Sequence, residues 1–210
     1  MDSILFWGGA LVVVSILSPL LKYVIAMTAG RKVGEMALAG QPDTIHLVAA
    51  GPGAWKNANP PRRLVDSLAG VGFVDAGVHS VPEMPGVIVQ VLAHPGEGFY
   101  AAVYEHPAVG HWIDLVCKFQ DGTSITWTTS KPTGLDPRPG HPMVNLPGMD
   151  PTLVYEKARA TRPRRPVEPA SIAYAVNAFE TGYAESIAYR KGVGVSNREA
   201  TKVAGAQLAA

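Results

Sequence analysis

The stretch Trp112–Ser130, WIDLVCKFQDGTSITWTTS, decides the fold. Ile113, Leu115, Cys117 and Phe119 alternate with Asp114, Lys118 and Gln120, and then Ile125 and Trp127 alternate with Ser124, Thr126, Thr128 and Ser130. Successive side chains of a strand point to opposite faces, so each run offers one face to a core and the other to water. Between them Asp121-Gly122 is the dipeptide that tolerates positive φ in a tight hairpin, which predicts an antiparallel pair.

Runs of the same kind precede this hairpin at 73–81, 87–93 and 99–105, separated by the turn clusters His94–Gly98 and His106–Gly110. Together they predict an antiparallel meander of four to five strands. Upstream, Thr44–Ala50 has the size of a short strand and GPGAWKNANPP (51–61) reads as a loop. Asn59-Pro60-Pro61 then opens a helix whose Leu64, Val65, Leu68 and Val71 recur at helical spacing. Downstream, residues 131–149 are rich in Pro and Gly and show no period. Asp150-Pro151 opens a short helix, Ser171 a long one to about Lys191, and Ser196 with Glu199 forms a capping box for a last one. Helices before and after the meander are expected to cover its apolar face, which gives the α+β class.

Residues 4–27 are apolar apart from Lys22, long enough as a helix to cross a bilayer. Lys22, Arg31 and Lys32 follow the run and only Asp2 precedes it, so the expected topology is N-terminus periplasmic and C-terminal domain cytoplasmic, at a bacterial inner membrane. A cleaved signal with Ala37-Leu38-Ala39 as its site is the competing reading. The expected organisation is a transmembrane anchor over 1–30, a juxtamembrane connector over 31–60 and a cytoplasmic α+β domain over 61–210. The single cysteine fits a reducing compartment, and a net charge of +1 offers no global field for nucleic acid.

At GFVDAGVHSV (72–81), YEHPAVGHWIDLVCKFQDGTSITWTTS (104–130), YAESIAYRKG (183–192) and SNREATKVA (196–204), the chain resembles a loose group of uncharacterised bacterial single-pass, membrane-anchored proteins with a small α+β domain. The resemblance implies the fold and carries no assigned activity.

Candidate chemistry is sparse. Glu105, His106 and His111 share a predicted hairpin, and with His94 and His141 they are the candidate metal ligands, but no recognised ligand spacing occurs and no metal or other cofactor is expected. Cys117 falls in the inward register, where a thiol behaves as a small hydrophobe. The Ser and Thr residues of the 123–130 strand have no nucleophile elbow or identifiable base. Arg162, Arg164 and Arg165, with Arg31 and Lys32, are candidate contacts for anionic lipid or a partner. Gly8, Gly9, Ser15 and Ser18 would permit close helix contact with other integral membrane proteins. The expected function is a non-catalytic accessory or scaffold subunit of a membrane complex. The alternative is a small-ligand binder or enzyme using the 131–149 loop with His106, His111 and His141.

Overall fold

The structure is a computed structural model that describes residues 31–208, apart from 33 and 37. Seven strands form one sheet in sequence order: β1 Val48–Ala50, β2 Val74–Ser80, β3 Ile88–His94, β4 Phe99–His106, β5 Gly110–Lys118, β6 Ser124–Thr128 and β7 Met143–Asn145. Every neighbouring pair is antiparallel except β6 and β7, which run parallel with Trp127 opposite Val144. The Asp121-Gly122 hairpin joins β5 to β6, with Gly122 at φ 79°. A bulge in β2 between Asp75 and Val78 places Gly77 at φ 108°.

The helices are α1 Asn59–Gly70, α2 Pro151–Thr161, α3 Ala175–Val193 and α4 Asn197–Leu208. On one face of the sheet, Phe99, Val103, Ile113, Leu115, Cys117 and Trp127 pack with Leu68 of α1 and with Val154, Tyr155 and Ala158 of α2. On the other, Val89, Val91, Ala93 and Ala102 pack with Ala175, Phe179 and Tyr183 of α3. The sheet with α1, α2 and α3 as far as Tyr189 forms one compact unit, over 42–132 and 137–189. The described part of a second unit comprises 31–41, 133–136 and the chain from Arg190 onward. Within that second unit Leu38, Val195 and Ala200 are buried together, and the buried Arg190–Glu199 ion pair spans 2.8 Å.

Two expectations are corrected. Among the described residues no helix is long and apolar enough to cross a membrane, so the fold of a transmembrane helix joined to a four- or five-stranded antiparallel meander gives way to an α+β fold on a seven-stranded mixed sheet. The expected span over 4–27, with Gly8, Gly9, Ser15 and Ser18, lies outside the described residues. Helices also cover both faces rather than one, because β3 has six of its seven residues buried and only Gln90 interrupts its apolar run before His94. Such a strand needs cover on each side.

Local chemistry explains most element ends. The Asp150 carboxylate accepts from Thr152 N–H at 2.9 Å, and Ser196 and Glu199 form the reciprocal capping box. Asn59 does not cap α1: the cap position is Ala58, and Asn57 Oδ1 accepts the Asn59 N–H at 3.3 Å.

Candidate functional site

Period-two geometry decides which of the candidate residues meet. Glu105 lies opposite His111 across β4 and β5, and His111 Nε2 is 3.0 Å from Glu105 Oε1. His106, one residue on, points to the opposite face; its Nδ1 accepts the Ala108 N–H at 3.1 Å and its ring leans on Trp112. The expected trio is therefore a pair.

Glu105 is 6% exposed, and its carboxylate is occupied. It accepts from Lys56 N–H at 2.8 Å and from Asn57 N–H at 3.1 Å as well as from His111. Burial pushes its pKa up, but the two backbone N–H groups, and then His111, outweigh burial and hold it below the ordinary value. An ionised carboxylate only accepts, so His111 carries its proton on Nε2 and keeps Nδ1 as its remaining polar atom. The loop that donates to Glu105 is also pinned by Trp55, which packs against the core beneath α1.

His111 lines a shallow open groove of about 520 Å3 with Asn57, Asn59, Pro60, Arg63 and Leu64. Two amides, a guanidinium and an imidazole face an apolar strip there, and no lining residue carries a hydroxyl or thiol. The groove can hold hydrogen-bonding and charged groups, while its lining carries no hydroxyl or thiol nucleophile.

His141 occupies a different place. Its Nδ1 lies 2.8 Å from Ser124 Oγ and 3.3 Å from Arg138 Nη2, and Arg138 pairs with Glu185 at 2.9 Å. Burial, then the Arg138 charge, pushes its pKa down. This is a serine with a neutral base beside it, which the sequence does not reveal because Ser124 lies on a polar strand and His141 in the Pro-rich segment that follows it. A guanidinium on the accepting nitrogen opposes the imidazolium that catalysis would form, and the carboxylate of Glu185 is committed to the arginine. His94 is in the core, within 3.1 Å of both Tyr155 Oη and Val71 O and stacked on Tyr155. The histidines thus occupy separate environments, and no group of three metal-ligating residues is found among the described residues.

Of the basic candidates, Arg162 pairs with Glu97 at 3.2 Å and lies over Phe99, and Arg165 pairs with Asp121 at 2.9 Å and lies over Phe119. These two guanidiniums bind the fold itself. Arg164 and Lys32 are exposed, and Arg31 pairs with Glu35 at 2.8 Å. Cys117 is fully buried, and burial pushes its thiol pKa up.

No family model, curated protein or solved structure matches this chain.

Proposed function

We propose that this chain is a non-catalytic accessory domain that recognises a partner protein in the groove beside His111. The observation that supports this most is the saturated Glu105 carboxylate: three internal donors fix it, and it in turn fixes an imidazole at the groove. A polar point held on paired strands and a pinned loop contributes affinity because little ordering remains to be done on binding. Reaction centres instead bring a hydroxyl or thiol to such a base, and the groove's lining carries neither.

Site-specific photocrosslinking in the cells that make the protein tests this reading. A photoreactive residue at the exposed Asn59 is expected to capture one discrete protein, whereas the same residue at Leu153, exposed on α2, captures none. Identical adducts at both positions, or none at Asn59, overturn the proposal.

A further inference from the structure

We infer that the occupant of the groove is an acidic, extended segment of the partner, bound through its carboxylates. This rests on the groove being a recognition site, and charge is what specifies the occupant. Arg63 lines the groove, and Lys56 and Arg62 flank it in sequence and are exposed. None of these three cations forms an ion pair among the described residues. The carboxylate that adjoins the groove, Glu105, is committed to its three donors and forms no ion pair with any of these cations. A partner bringing carboxylates would supply the missing counter-charge.

The start of α1 argues for carboxylate over phosphate. A helix N-terminus binds phosphate through free N–H groups in its first turn. Here Pro60 and Pro61 have no N–H, the Asn59 N–H is taken by Asn57 Oδ1, and the Arg62 N–H is taken by Ala58 O at 3.1 Å. Recognition is left to side chains: a guanidinium fork suits a planar carboxylate, and the Asn57 and Asn59 amides suit an extended peptide backbone.

The test uses the full chain with a labelled peptide of alternating Glu and Gly, its Gln–Gly counterpart and inorganic phosphate as probes. Binding is followed by fluorescence anisotropy and by amide chemical shifts. The Glu–Gly peptide is expected to bind with strong salt dependence and to move the amides of residues 56–59, 62–64 and 111. Arg63→Glu is expected to weaken it at least about tenfold, and Lys157→Glu, on an exposed position of α2, to leave it unchanged. Absence of binding, indifference to Arg63→Glu, or displacement by phosphate as effective as by free Glu–Gly peptide overturns the inference. If the Gln–Gly peptide binds equally well at the same amides, the acidic class fails while the recognition groove stands. If the Glu–Gly peptide binds but the groove amides stay still, the groove reading itself fails.

Discussion

Glu105 and His111 are joined directly across β4 and β5, and the carboxylate that orients the imidazole also clamps the backbone of Lys56 and Asn57. One buried group therefore holds two of the residues that line the groove, Asn57 and His111. Glu105→Gln replaces an acceptor with an amide whose nitrogen faces donors, and should cost about 2 kcal/mol of stability in chemical denaturation. Because the folded pKa is depressed, this contribution is present above the unfolded pKa and is lost as pH falls through the folded value. The wild type should show that loss on acidification, and the variant should lack this component.

Asp114 predicts the reverse slope. Its Oδ2 accepts from Tyr104 Oη at 3.0 Å, but its Oδ1 is sealed from solvent without a partner, and burial raises its pKa to about 6. A raised carboxyl pKa means the native state holds the proton more tightly. Stability should therefore fall as pH rises from the ordinary aspartate value through about 6. Asp114→Asn should remove that slope and stabilise the protein above neutrality by up to about 3 kcal/mol, read from denaturant midpoints across pH.

Glu199 is held to a pKa of about 2, because backbone N–H groups of Ser196 and Asp136, with the Ser196 hydroxyl and Arg190, outweigh its burial. Glu199→Gln leaves the buried Arg190 without its counter-charge. Amide exchange in α4 should accelerate by about two orders of magnitude, matching a local loss of ~3 kcal/mol. Exchange in β3 and β4, in the other unit, should change far less.

Gly98 sits at φ 69°, and a Cβ there would overlap the Val167 side chain and stand 3.0 Å from Glu168 O. Gly98→Ala therefore combines backbone strain with a clash that only a shift of the 167–168 segment relieves. A loss of at least about 2 kcal/mol is expected in thermal or denaturant unfolding.

Ser124 should remain unlabelled by a fluorophosphonate probe under conditions that label an authentic serine hydrolase. Its partner His141 accepts the hydroxyl, but Arg138 stands at the same nitrogen. Rapid labelling that disappears in His141→Gln would show the dyad to be reactive and would argue against a non-catalytic role.

What the sequence revealed follows from how local each determinant is. The five runs from 73 to 130 were legible because alternation and turn chemistry lie within a few residues, and β2–β6 occupy them. β7 was not, since Met143–Asn145 is a strand only through pairing with Thr126–Thr128, a tertiary cause. The cover on both faces is signalled by the scarcity of polar positions along β3, which are Gln90 and the terminal His94. The hairpin brings Glu105, His106 and His111 together in the sequence, but strand periodicity sends His106 to the other face and leaves Glu105 with His111. Arg63 was overlooked because an arginine on a helix reads as solvated surface. The cluster Lys56, Arg62 and Arg63, with no acid before Asp66, was the available sign.

The strict β1-to-β7 order also governs how the chain reaches its native state. The four junctions from β2–β3 to β5–β6 are closed by short connections, so assembly can zip outward from the Asp121-Gly122 turn with modest loop-closure entropy. The two outer strands close across longer segments: β1 pairs with β2 beyond 51–73, which carries α1, and β7 aligns parallel with β6 beyond 129–142. Refolding followed through Trp127, which stands opposite Val144 of β7, should therefore lag behind formation of the preceding hairpins.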